Sequence, residues 1–219
     1  MISDSSQIFF FLEVLIFASV IFMHLSEKNY SVVFLYALQS FIVTVFLFIA
    51  VVENFSWMLF FAALAAFAVK VVMAPYFFRR LILKHQLRFN VNTYLKKPLA
   101  LVVVAILTAL TYSHFFAPLT QLAPQNSNAI LLAIAMMLTS LFLIINRQGA
   151  LSQMVGVLSL ENAIVSFAFL AGLEESPSSQ LGIMFDIAIW VVIATVFAGM
   201  VYKQFGSLNV TAMKHLKEE

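Results

Sequence analysis

No cysteine occurs among the 219 residues, which excludes disulfides, thiolate zinc sites and iron–sulfur clusters held by this chain. Histidine is nearly as sparse, and its four scattered copies argue against a histidine-only metal or haem site. No cofactor or metal is therefore expected here, and any redox chemistry belongs to a partner. Charged residues amount to 10% of the chain, too few to clothe a soluble domain of this size. The N-terminal MISDSSQ lacks the basic start of a cleavable signal peptide, so the first apolar run is expected to be a retained helix. No internal soluble domain is expected either.

What fills the chain is apolar. Hydrophobic residues make up 63%, Phe alone supplies 24, and the mean hydropathy is +1.01. An integral membrane protein follows, with the lipid bilayer as the solvent of its outer face and no nucleic-acid partner. Seven apolar runs are long enough to cross a hydrocarbon core of about 30 Å. They are Ser6 to Leu25, Tyr30 to Val52, Trp57 to Phe78, Pro98 to Ala117, Ala129 to Ile145, Ala150 to Leu173 and Leu181 to Tyr202. None shows the strict alternation of a barrel strand, so the expected fold is an all-α polytopic bundle of seven transmembrane helices. The uncharged loop PLTQLAPQNSN separates a four-helix region, 1–128, from a three-helix region, 129–219.

Basic residues set the orientation, because Lys and Arg near helix ends are retained on the cytoplasmic side. Lys28, the group Arg79, Arg80, Lys84, Arg88, Lys96 and Lys97, Arg147, and the tail lysines Lys203, Lys214 and Lys217 all fall in odd loops or the tail. Even loops carry Glu53, or Glu174 and Glu175, or no charge. The N-terminus is expected outside and the C-terminus in the cytoplasm. The segment from Arg79 to Lys97 alternates basic and apolar residues, as an amphipathic surface helix or an ordinary topology-setting loop would.

Four charged residues, Glu13, Lys70, Glu161 and Asp186, are left inside the runs, and His114 lies at an edge. Glu13 and Asp186 fall roughly 8 to 10 Å below the outer surface, Glu161 near the midplane, and Lys70 roughly 12 Å above the inner surface. His114 sits close to the outer edge. A charged side chain at a helix centre costs roughly 2.5 to 3.5 kcal/mol on insertion scales and so marks a partner or an ion pathway. Each residue also has a blander reading: Lys70 snorkels, Glu13 is interfacial, Asp186 caps a kink or pairs with Gln180, and His114 is structural. Neither snorkelling nor capping reaches Glu161, for which a structural interhelical hydrogen bond is the alternative. Gly156, Ser159, Ala163 and Ser166 surround it with small residues, so the carboxylate is expected to face protein. Gln39 and Ser40, with Ser152 and Gln153, are candidates to extend its hydrogen bonding.

The stretch NRQGALSQMVGVLSLENAIVSFAFLAG and the LGIMFDIAIWVVIATVFAGMVYKQFGSLNVTAMKHL that follows resemble the three-helix K-type subunit of respiratory complex I. Across nearly the whole chain the sequence is similar to component E of hydrogenase-4 and related group 4 membrane-bound hydrogenases. YALQS, AFAVKVVMAP, NRQ, LSLEN and GIMFDIAI carry that similarity. The resemblance implies a proton- or sodium-pathway subunit joining a hydrophilic hydrogenase-like arm to antiporter-like membrane subunits in a prokaryotic inner membrane. Glu161 matches the helix-two glutamate of the K-type subunit. The second K-type glutamate would fall near Trp190 and is absent there, with Asp186 one turn earlier as its candidate replacement. Lys70 and Asp186 match positions of component E-like sequences, and Glu13 has no such support.

Two readings stand after this. In one, Glu161, Asp186 and Lys70 relay ions in a non-catalytic subunit, Lys70 being buried and held charged by Glu161 or Asp186, with Glu13 and His114 as secondary candidates. In the other, the charges only lock helices and neighbours together. A cation/proton antiporter complex is a third setting. A stand-alone transporter is disfavoured, since no inverted repeat of broken helices is visible.

Overall fold

A computed structural model describes residues 2–53, 57–84, 92–172 and 199. Those residues form helices and no strand, and five of the helical stretches are long and apolar enough to cross a membrane. The first two spans are α1 (Ile2–Leu25) and α2 (Asn29–Glu53). The third is composite: α3 (Trp57–Ala66), a π-helical stretch Phe67–Met73, and α4 (Ala74–Lys84). After the shorter α5 (Lys97–Thr111) come α6 (Ser127–Asn146) and α7 (Ala150–Leu170). Apart from residue 199, the expected seventh run, 181–202, and with it Asp186, lies outside the described residues.

The π-helical stretch has a cause in the sequence. Ala62, Ala66, Lys70, Ala74, Phe78 and Ile82 are all buried, one every four residues. In a uniform α-helix that spacing would turn the stripe by about 40° at each step and carry it off the packed face. A wider turn takes up part of the drift, and the Ala74 N–H reaches back to Val69 O, five residues away. Pro75 follows at once. Its ring crowds the carbonyl four residues back and it has no N–H to donate, so regular α-helical bonding is broken at this point in any case.

Two expected boundaries move. The third run was expected to end at Phe78, before the paired arginines, yet the helix continues to Lys84. Phe78, Leu81 and Ile82 stay buried while Arg79 and Arg80 point outward, so the charges ride on an amphipathic last turn. Lys70 lies roughly 20 Å from this helix end, and roughly 12 Å from Phe78, where the run was expected to end. The fourth run, expected to reach Ala117, stops as a helix at Thr111. There the Thr111 hydroxyl donates to Thr108 O at 2.8 Å, and the Tyr112 N–H bonds Ala109 O instead. Turns and short 3₁₀ segments, Ala117–Leu122 and Pro124–Asn126, lead into α6.

Helix α7 is the organising element, packed against α6, α2 and α1. It packs tightly on α6 at Gly156, where an added Cβ would lie 2.8 Å from Ile144 Cγ1 and 3.3 Å from the Ile144 backbone nitrogen. It ends at Gly172, whose φ of 65° supplies the left-handed turn.

At one end of the bundle three connections are tied together. Thr93 pairs with Arg147 in an isolated bridge, Tyr94 N–H donates to Asn146 O at 3.0 Å, and Gln148 N–H to Asn92 O at 3.0 Å. Lys97 meets Glu27 of the α1–α2 connection in an exposed ion pair. At the opposite end Phe9, Phe116 and Ala123 pack on Ala129, Ile130 and Leu170.

Candidate functional site

The composite third span delivers Lys70 to α7. Its ammonium lies 2.5 Å from Glu161 Oε1 and 3.2 Å from Asn162 Oδ1. The pair is enclosed unequally, with the lysine side chain 2% exposed and the glutamate 19%. The inequality follows from helix geometry. Ser159, Asn162, Ala163 and Ser166 form the buried face of α7, whereas Glu161 stands one step round it with Val157 and Ile164, both exposed. An ion pair held this far from water needs its remaining hydrogen-bonding capacity met by protein.

Most of that capacity is met through amides and hydroxyls. Asn162 Nδ2 donates to Ser40 Oγ at 2.9 Å and to Gln39 Oε1 at 3.4 Å. Gln39 Nε2 donates to Ser159 Oγ at 3.1 Å, and Ser159 and Ser140 share a hydrogen bond of 3.0 Å. A connected polar cluster thus runs from the third span through α7 and α2 to α6, with Gln39, Ser40, Ser140, Ser159 and Asn162 all fully buried. One oxygen, Glu161 Oε2, is buried without a partner among the described residues. It is the free valence of the cluster.

The other candidates fall elsewhere. Glu13, on α1, is fully buried, and one of its oxygens accepts from the Ser166 hydroxyl, one turn beyond Asn162 on the same face of α7. Its other oxygen has no partner among the described residues. The interfacial reading of Glu13 is thereby replaced by an interior contact, because α7 offers a small hydroxyl residue where α1 brings its carboxylate. His114 is exposed in the turn after α5, apart from the buried cluster. Gln39 and Ser40 join the pair as their positions allowed. Ser152 and Gln153 do not: Ser152 donates to Asn29 Oδ1 at 3.0 Å and Gln153 to Arg147 O at 2.8 Å, tying down the start of α7.

Sequence reasoning passed over three polar residues. Asn162 stands beside Glu161 in LSLEN, and an amide next to a mid-span carboxylate was its signal. His24, buried and stacked on Phe142, bonds Thr139 O at 3.1 Å. Arg147, read only as a loop charge, is fully buried and donates to the Met23 and Ser26 carbonyls at the end of α1. A cation there meets carbonyls that the helix leaves unpaired, and complements its dipole. Burial pushes the guanidinium down to about 10, so it stays charged at neutral pH. At the exposed Lys97–Glu27 pair, the lysine's hydrogen bond holds the Glu27 carboxyl below its usual range.

Chemically, the arrangement offers a carboxylate able to take up a proton or a small cation, a fixed countercharge beside it, and a non-ionisable scaffold behind. No group of three or more His, Cys, Asp or Glu among the described residues is placed to hold a metal ion. No family model and no solved structure matches the chain. The uncharacterized protein Rv0085 of Mycobacterium tuberculosis is 31% identical over 120 residues, 54% of this chain and 54% of that protein. The chain spans about half the length of this curated relative.

Proposed function

We propose that the chain is a non-catalytic membrane subunit of a hydrogenase-4 or formate hydrogenlyase-like assembly related to respiratory complex I. In this reading it contributes to proton or sodium translocation driven by electron transfer in partner subunits. The observation that carries it is the Lys70–Glu161 pair, enclosed at mid-span with one carboxylate oxygen uncommitted. An intramembrane charge pair of this kind is costly to build and belongs by default to an ion path. Glu161 is the exchanging group and Lys70 its countercharge, with Asp186 a third relay position on the resemblance alone. The partners would be antiporter-like membrane subunits and a hydrophilic hydrogenase-like arm at a prokaryotic inner membrane. Seven spans, with the N-terminus outside and the C-terminus in the cytoplasm, complete the reading.

One observation favours a second reading. The amide and hydroxyl cluster behind the pair ties four helical spans together, which is also what a subunit that serves only assembly would need. The two readings part on Glu161→Gln, which keeps size and hydrogen bonding but cannot ionise. The complex, purified by a tag on this chain, should retain its hydrogenase-like partners and lose ion movement in vesicles, and Glu161→Asp should keep part of it. Wild-type translocation by an assembled Glu161→Gln complex would sink the relay role.

A further inference from the structure

Lys70 has two acceptors, and they differ in kind. Glu161 Oε1 is 2.5 Å from the ammonium and Asn162 Oδ1 is 3.2 Å from it. The orientation of the Asn162 amide is fixed by its other end, where Nδ2 has Ser40 Oγ at 2.9 Å and Gln39 Oε1 at 3.4 Å as acceptors. Turned over, the amide would set its NH₂ against the ammonium and its oxygen against Gln39 Oε1, so Oδ1 must face Lys70. Gln39 is itself held by Ser159. Asn162 is therefore a fixed acceptor with no proton to exchange, fully buried, while Glu161 stands at the margin of the packed face with one oxygen uncommitted.

We infer that Asn162 is a second seat for the Lys70 ammonium, which holds the lysine in place while Glu161 leaves the pair to exchange its proton or cation. The inference rests on the relay reading of Glu161 and assigns the moving part: the carboxylate moves and the lysine stays. Without that seat, each release by Glu161 would leave an ammonium facing an apolar interior, since its neighbours on the same stripe are Ala66 and Ala74. Among the described residues, the other ionisable side chain that faces the pair is Tyr36 of α2, fully buried. A phenol gives no countercharge at neutral pH. From α6 the cluster receives the Ser140 hydroxyl and the Met136 sulfur, a weak acceptor 3.9 Å from the donating Gln39 Nε2.

The test is a mutant cycle on the full chain in lipid nanodiscs, read as the midpoint of heat denaturation. Glu161→Leu and Asn162→Leu each leave Lys70 one seat, and the double variant leaves none. The double should lose more than the sum of the two singles, and Lys70→Met introduced into all members should abolish that excess. Ser40→Ala, which removes a hydrogen bond at the far end of the amide, should combine additively with Glu161→Leu. If the double variant cannot be recovered folded, recovery of the triple variant carrying Lys70→Met supports the seat, and equal failure of the triple overturns it. Simple additivity in the presence of Lys70 also overturns it and shows Asn162 to be a structural amide. This cycle reads only the seating of Lys70, and the vesicle assay reads only ion movement, so the failure of either is visible apart from the other.

Discussion

Lys70 is buried, and its charge is met inside the bundle by Glu161 and Asn162 rather than by a stem that snorkels to the surface. Breaking such a pair from one side leaves an uncompensated charge, at a cost of about 3 to 5 kcal/mol when both partners are sealed. Glu161 is one-fifth open, which puts Lys70→Met towards the lower end of that range. The expected outcome is that Lys70→Met lowers stability more than Lys70→Met combined with Glu161→Gln, because the double removes both charges. Equilibrium denaturation of the chain in lipid checks it, and a strictly additive pair would show that the two residues do not depend on each other. The importance of these residues was legible in the sequence, since a lone lysine and a lone glutamate interrupt long apolar runs. Their meeting was legible as one of two pairings, since depth counted along the runs left Glu161 and Asp186 both open as the carboxylate partner of Lys70.

Apolar run length was enough to place α1, α2, α6 and α7 within a few residues, because a membrane span leaves its backbone no other way to be satisfied. The failures have local causes. Helix α5 stops early at a threonine that takes the carbonyl its next turn needed, and the π-helical stretch reflects a four-residue stripe that no count of apolar residues detects. Arg147 illustrates a different blind spot, because a basic residue between two spans reads as topology while its side chain closes the end of α1. Hydrogen bonds from a charged donor contribute about 1.5 to 3 kcal/mol, so Arg147→Met should destabilise the chain by about that much. Arg147→Lys should recover only part, having one nitrogen where two are used. Proteolysis at the α1–α2 connection is the sensitive readout. Packing between α6 and α7 gives a second test at Gly156. Gly156→Ala forces a contact on Ile144 and should cost about 1 to 3 kcal/mol. Adding Ile144→Ala removes the Cγ1 obstruction but not the backbone one, so partial rescue is expected. No rescue at all would mean that the backbone contact dominates.

The five spans and α5 together put every described basic residue except Lys70 at one end of the bundle. The connection at Glu27 and Lys28, the segment 92–97 and the loop at Arg147 are bonded to one another there. Lys84 ends its helix on the same side, since α2 leads away from that end and the composite third span returns to it. The opposite end, around the 3₁₀ segments between α5 and α6, carries no charge in 112–128 apart from His114, neutral in the formal count. A bundle so divided has one free choice, for which retention of Lys and Arg in the cytoplasm predicts the outcome. Because the chain has no cysteine, single cysteines can report the choice without background. Asn92 and Gln125 are both exposed, one at each end, and neither side chain supports a contact described above. Gln125→Cys should react with an impermeant maleimide added to intact cells, whereas Asn92→Cys should react only after the membrane is opened. The reverse pattern would invert the whole chain. Reaction of both from the same side would contradict the packing itself, since the hydrogen bonds that join 92–95 to the α6–α7 loop place that segment a full helix length from Gln125.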